Sequence, residues 1–210
     1  LRLGGVIAAL GHPRVLALTA TAAPPVRAEI VERLGMREPA VIVRGFDRPN
    51  LWLGVATFHD AEAKRHALLE RIAEAAKPGI VYVATRQHAE DVAAKLVERG
   101  ERAAAYHAGM ATAERERVQA GFMDDEIAVI VATSAFGMGI DKPNVRFVFH
   151  EHISEAVDAY YQEIGRAGRD GQPAQVILFY RPEDVGVRRF LAAITPIAPD
   201  EVQQVVATLQ

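Results

Sequence analysis

The chain has 210 residues and a mass of 22.8 kDa, 50% apolar and 24% charged. That is a globular balance with room for one domain, or for one and part of another. Lys and Arg number 24 against 27 Asp and Glu, a net charge of −3, which excludes a generic polyanion-coating protein, so any nucleic-acid site must be local. There is no Cys, hence no disulfide framework and no cysteine-ligated zinc site in this stretch. No apolar run approaches the ~20 residues that span a bilayer, and a soluble, cytoplasmic chain is expected.

In chain order, β-branched or aromatic runs at 15–19, 40–45, 51–58, 79–84, 103–107, 127–132, 145–150 and 175–180 predict strands. Residues 61–77 set Leu68, Leu69, Ile72 and Ala76 on one helical face, and 86–99 do the same with Ala89, Val92, Ala93 and Leu96. Thr112–Met123 predicts a third helix with Thr112 as its N-cap. Arg115 denies it the reach-back carboxylate of a capping box, while Glu114 suits the positive end of the helix dipole. This alternation, with continuous apolar strands, predicts an α/β fold: a parallel sheet with helices on both faces.

The turn-rich tract Gly45-Phe46-Asp47-Arg48-Pro49-Asn50 marks a boundary. Pro196 and Pro199 block a continuous helix near the end, and Asp200 is placed to cap a fresh one over 201–209. The chain opens and closes inside helical patterns and lacks an initiator Met, so it is expected to be a piece of a longer protein.

Three tracts carry chemistry, each at the carboxyl end of a predicted strand or in the helix after it, where open α/β sheets bind ligands. In 127–150 a strand ends in Thr133-Ser134, followed by Gly137, Gly139 and Asp141. Hydroxyls and loop N–H groups suit phosphate oxygens, and an acidic residue there can accept from ribose hydroxyls; the alternative is a plain strand-to-helix turn. In 158–171 a helix bearing Tyr160, Tyr161 and Gln162 leads to Arg166 and Arg169, three apart and on one side of a helical turn. Such a pair suits a transferring phosphate; the alternative is a surface pair satisfied by Glu163 and Asp170. In the third tract Thr85-Arg86 opens a helix whose free N–H groups attract phosphate, and His107-Ala108-Gly109 ends the next strand. The seven His offer no third ligand to His150 and His152, no G-x-S-x-G elbow occurs, and no G-x-x-x-x-G-K-[ST] loop occurs.

Taken together these tracts resemble the C-terminal half of a superfamily 2 helicase core, and more closely the RecQ family of ATP-dependent DNA helicases. Leu16-Ala17-Leu18-Thr19-Ala20-Thr21-Ala22 resembles motif III and Phe46-Asp47-Arg48-Pro49-Asn50-Leu51 the RecQ inter-domain signature. GIVYVATR resembles motif IV, AYHAGM the strand and loop after it, VATSAFGMGIDKPNVRFVFH motif V and YYQEIGRAGRDG motif VI.

The resemblance implies that 1–45 end a first RecA-like domain, 46–182 form a second, and 183–210 begin a following helical region. ATP would sit between the two domains, its phosphate loop and Mg2+ ligands lying in the missing part of the first. By the same resemblance Arg169 is the arginine finger, with Arg166 beside it and Gln162 coupling motif VI to the nucleotide. Gly139 and Asp141 contact the nucleotide sugar, and Thr19 and Thr21 couple ATP state to domain closure. Thr85, Arg86, His107, Gly109, Thr133 and Ser134 are placed at the DNA backbone. The resemblance implies 3′-to-5′ movement, single-stranded and branched DNA as partners, and a cytoplasmic, nucleoid-associated place. The continuing four-Cys zinc subdomain typical of RecQ proteins is not found before residue 210. Two rivals remain: a DEAD-box-like RNA helicase, against which Phe136-Gly137-Met138-Gly139 and Gln162 stand, and a nucleic-acid-binding module without ATPase activity.

Overall fold

The computed structural model describes residues 3–19, 22–43, 47–137 and 140–186. They fall into two compact units, one up to Pro49 and one from Asn50 onward. The first carries two helices, α1 (Leu3–Ala9) and α2 (Pro24–Arg33). No helix was expected at α2, yet its signal is in the sequence: prolines in the first turn, where their missing N–H costs nothing, and Gly35 just past the end. The strand expected at 15–19 is absent, as is any strand over 40–43, while 44 and 45 lie outside the described residues. A strand needs a neighbour to satisfy its N–H and C=O groups. No described residue before Pro49 supplies one, and Leu16, Leu18 and Ile42 remain exposed.

The second unit is a six-stranded sheet: β1 (Leu51–Thr57), β2 (Gly79–Tyr82), β3 (Ala103–Tyr106), β4 (Val129–Ala132), β5 (Phe147–His150) and β6 (Ala174–Tyr180). Every pair is parallel, and the order across the sheet is β1-β6-β5-β2-β4-β3. Three central strands, β2, β4 and β5, are buried at every position, which is why they read as unbroken apolar runs rather than as alternation. Helices α3 (Ala61–Glu74) and α4 (Arg86–Glu98) cover one face, α5 (Thr112–Met123) and α6 (Val157–Ile164) the other.

Local rules set the helix ends. Asp60 caps α3 by accepting from the Ala63 N–H at 2.7 Å, and Thr85 caps α4 by accepting from the His88 N–H at 3.2 Å. The C-terminus of α4 closes on Gly100, held at φ +87°, with the Glu101 N–H returning to Leu96 O. Thr112 is not a cap. Ala111 holds the extended cap position, which leaves Thr112 as the first helical residue, its hydroxyl accepting from Arg115 at 3.4 Å. The faces expected from the sequence are the buried ones: Leu68, Leu69 and Ile72 on α3, and Ala89, Val92, Ala93 and Leu96 on α4. Each large aliphatic side chain there contributes about 1.5–3 kcal/mol through burial.

Candidate functional site

Two groups of predicted residues come together in the second unit, in different places. At the carboxyl edge of the sheet stand the Thr85 and Arg86 opening of α4, the loop after β3 and the loop after β4. Thr85 and Arg86 are exposed. Arg86 lies over Gly109, where a Cβ would come 3.0 Å from Arg86 Nη1 and 3.3 Å from His107 Nδ1. His107 is buried; its Nε2 donates to Glu90 at 3.0 Å, while Nδ1 has no hydrogen-bond partner. The Thr133 N–H donates to Tyr106 O at 3.3 Å, which ties the β4 loop to the end of β3 and leaves the next residue, Ser134, exposed. The edge therefore presents a cation, hydroxyls and free helix N–H groups together, the chemistry that meets phosphodiester oxygens. Beside it a cleft of about 270 Å³ is lined by Lys64, Arg65, Thr85, His88, Glu151 and Arg181 among others.

The second group forms where the turns between α6 and β6 meet the connection from β4 to β5. α6 ends at Ile164, so Arg166 and Arg169 sit on the turns that follow it rather than on the helix. Those turns are tied to the segment entering β5: the Gly168 N–H donates to Val145 O at 2.8 Å and the Asp170 N–H to Pro143 O at 3.1 Å. The backbone of the arginine turn is thus anchored toward the amino end of β5, while the Arg166 side chain reaches back to the β4 loop. Gly168 has φ +55°, and a Cβ there would meet Asn50 Nδ2 at 2.5 Å and Gln172 O at 2.8 Å. Asn50 Nδ2 donates to both Gly168 O and Gln172 O, at 2.8 and 2.9 Å, and so clamps the turn.

Neither arginine pairs with the acids beside it in sequence. Asp170 binds Arg146 at 2.6 and 2.7 Å, and this hydrogen bond holds its carboxyl below the usual range. Glu163 is buried and accepts from His150 Nε2 at 2.9 Å and from the Ser154 hydroxyl at 2.6 Å. Arg169 instead reaches Asp141 Oδ1 at 2.6 Å and Ile140 O at 3.2 Å. Arg166 lies against the β4 loop: a Cβ on Gly137 would come 3.0 Å from its Nη2. Arg166 Nε is buried and without an acceptor. Two guanidinium groups on one turn, one with an unmatched buried N–H and the other exposed, fit an anionic phosphate ligand.

Gln162 is exposed on α6, on the turn of helix just before these arginines. Thr19 lies exposed in the first unit. Gly139 and Thr21 lie outside the described residues, as does the helix expected over 201–209. Of the motif V tract, Lys142 is structural. It is 3% exposed and donates to Met123 O at 3.0 Å, and it pairs with Asp125 at 2.8 Å.

Sequence reasoning missed three contributors. Asn50 was given no role beyond the boundary and the inter-domain signature, although a side-chain amide in a turn-rich tract is suited to bridging carbonyls. Glu163 was read as a surface acid, although it precedes Ile164 on the buried side of α6. Tyr82, the one polar side chain in the run from Gly79 to Ala84, was given no role of its own within the motif IV tract. Strand β5 stops at His150, so His152 does not share its face; among the described residues no group of three or more His, Cys, Asp or Glu could hold a metal ion. No described helix is long and apolar enough to cross a membrane.

Comparison with known proteins gives a consistent result. Residues 63–171 match the family described as the helicase conserved C-terminal domain. The chain is 44% identical over 184 residues to an ATP-dependent DNA helicase RecQ of Pasteurella multocida, covering 87% of this chain and 29% of that protein. It is 42% identical over 179 residues to the RecQ helicase of Bacillus subtilis, covering 85% of this chain and 30% of that protein. The chain thus spans about three tenths of the length of these curated relatives. Among solved structures, the yeast DEAD-box splicing factor Prp28 superposes with a TM-score of 0.62 at 26% identity, over 83% of this chain and 39% of that one. The parallel six-stranded sheet with its helices is therefore a RecA-like helicase fold.

Proposed function

The chain belongs to the family of helicase conserved C-terminal domains, and from that premise we propose that it is part of the motor core of an ATP-dependent DNA helicase of the RecQ kind. Residues 46–182 form the second RecA-like domain in this reading, 1–45 the end of the first, and 183–210 the start of a following region. The observation that carries the proposal is the presence of two phosphate-suited groups of side chains on one sheet. A phosphate-seeking arginine pair sits on the turns between α6 and β6, facing the β4–β5 connection, and a small-residue, hydroxyl and Arg86 surface sits at the carboxyl edge.

Arg169 leaves Asp141 for the γ-phosphate and stabilises the charge that develops on it; Arg166 binds beside it, and Gln162 faces the same nucleotide. Gly139 and Asp141 are at the nucleotide sugar. Thr85, Arg86, His107, Gly109, Thr133 and Ser134 hold the DNA backbone without reading bases, as a translocating enzyme requires. ATP binding closes two domains and hydrolysis opens them, so the two grips on DNA shift relative to each other. Thr19 and Thr21 belong to that coupling. The phosphate loop and the Mg2+ ligands come from elsewhere in the protein, so this chain alone turns over no ATP. The motor moves 3′ to 5′ on single strands and acts on branched DNA at the nucleoid in the cytoplasm.

DNA rather than RNA is favoured because the relatives at 42–44% identity are named DNA helicases, whereas the DEAD-box structure is 26% identical. The test is ATP hydrolysis by the full-length protein with single-stranded DNA and with RNA. Stimulation by DNA alone is expected. Stimulation by RNA alone would replace this reading with an RNA helicase, and stimulation by neither would leave a binding module.

A further inference from the structure

Tyr82 ends β2 and has no exposed surface. A phenol in such a place costs free energy unless its hydroxyl is satisfied, and a Phe would fill the space without that cost. The hydroxyl is satisfied by long-range partners: it donates to Phe136 O at 2.9 Å, and the Arg166 guanidinium interacts with the same oxygen. Phe136 is itself wedged, with its ring edge-on to Tyr106 at 4.8 Å and to Phe122 at 5.8 Å. The β4 loop is therefore pinned at Phe136, and the next residue, Gly137, is the one that admits Arg166.

The other side of the same ring stacks on His150, centroids 5.2 Å apart. His150 holds Glu163, whose carbonyl accepts the Arg166 N–H at 3.3 Å. One side chain thus touches both supports of Arg166. It does so from a strand that leads, three residues on, to the Thr85 cap of α4.

We propose that Tyr82 is a positioning residue that holds the β4 loop and Arg166 in register with the DNA-gripping edge of the sheet. The proposal rests on the motor reading above and deepens it: through Tyr82, DNA held at the edge sets the arginine that serves the nucleotide. Burial raises the phenol pKa well above its ordinary value, with the Arg166 charge acting against that rise, so the hydroxyl keeps its proton and remains a donor.

The test is Tyr82→Phe in the full-length protein, which removes one oxygen and leaves the ring stacking intact. The expected result is a DNA-stimulated kcat lower by about 10- to 100-fold, as for a small misplacement of a reacting group. The KM for ATP and the affinity for single-stranded DNA should change by less than about threefold. Combined with Arg166→Ala, it should add little to the loss from Arg166→Ala alone, because the two act as a unit. A kcat within twofold of wild type, or additive losses in the double variant, would overturn the role. Hydrogen exchange supplies a readout independent of turnover: the Phe136 and Gly137 amides should exchange faster in Tyr82→Phe while β2 and β4 stay protected. Unchanged exchange would also overturn it. If the wild-type protein shows no DNA-stimulated hydrolysis, the motor reading fails instead, and the exchange measurement alone decides whether Tyr82 holds the loop.

Discussion

Arg169, on the turns between α6 and β6, meets Asp141, on the β4–β5 connection, at 2.6 Å, a pair in which the Asp141 side chain is 86% exposed and that of Arg169 35% exposed. Pairs so open to water are worth roughly 0–1 kcal/mol. The contact fixes where the guanidinium rests without holding it there strongly, and a triphosphate offers the same group a stronger charge-assisted partner.

The first expectation concerns that exchange. In the full-length protein Arg169→Ala should lower ATP turnover by roughly 10³-fold or more, the usual loss for an arginine finger. Single-stranded DNA binding should be retained, since Arg169 lies on the turns between α6 and β6, paired with Asp141 and not with the residues placed at the DNA backbone. Steady-state ATPase assays and fluorescence anisotropy with a labelled oligonucleotide check the two halves separately.

A second expectation concerns the edge. Gly109→Ala places a methyl 3.0 Å from Arg86 Nη1 and 3.1 Å from Arg86 Cδ. Both atoms belong to a flexible, exposed side chain, so the fold tolerates the change and Arg86 moves. If Arg86 neutralises a phosphate, Arg86→Ala should flatten the slope of log affinity against log salt by about 0.7 on single strands, and Gly109→Ala should do so in part. Titrations at several salt concentrations measure this.

The turn carrying the arginines should be brittle. Gly168→Ala would impose a Cβ at positive φ and drive it into Asn50 Nδ2 and Gln172 O. Backbone strain of this kind costs about 1–3 kcal/mol. Asn50→Ala should cost about 1 kcal/mol through two lost hydrogen bonds in a partly exposed place. Thermal or urea unfolding resolves both, and both should lower turnover through the displaced Arg169.

Glu163 gives the chain an acid-sensitive joint. Burial alone would raise its carboxyl pKa, but the hydrogen bonds from His150 and Ser154 outweigh burial and hold it below its ordinary value of 4.5. Folding therefore favours the charged form. That contribution is complete above pH 4.5 and is lost as pH falls below it, through the lowered folded value. Glu163→Gln should remove this part of the acid limb and cost about 1–3 kcal/mol at neutral pH by leaving His150 and Ser154 poorly matched. Melting temperatures across that range, for both proteins, test the sign.

Much of the sheet was legible because β2, β4 and β5 are continuous apolar runs and the buried faces of α3 and α4 repeat at helical spacing. What was not legible depends on partners distant in sequence. Adjacent acids suggested that Glu163 and Asp170 neutralise the arginines, yet Glu163 turns inward to His150 and Asp170 crosses to Arg146, 24 residues away. The Asn50 clamp closes over a separation of 118 residues to Gly168. Strand patterns at 15–19 and 40–43 were real as patterns, but apolar alternation does not make a strand without a neighbouring ladder. The motif residues themselves were found by their order along the chain. That the arginines face the β4–β5 connection from the turns before β6 came only from the fold.

The strand order has a kinetic meaning as well. Among the described residues β1 is the first strand in sequence, yet its only ladder partner is β6, the last, so Leu51 pairs with Ala174 across 123 residues. That contact closes late and belongs to the slow, non-local part of folding. β1 also carries Trp52, Leu53 and Val55 exposed, while β2, β4 and β5 are sealed on both faces. Opening should therefore begin at β1, its amides exchanging by local release while the central trio exchanges only on global unfolding. The arginine turn leads directly into β6 and shares Asn50 with the start of β1. The arginine turn is thus built on the side of the sheet expected to open first.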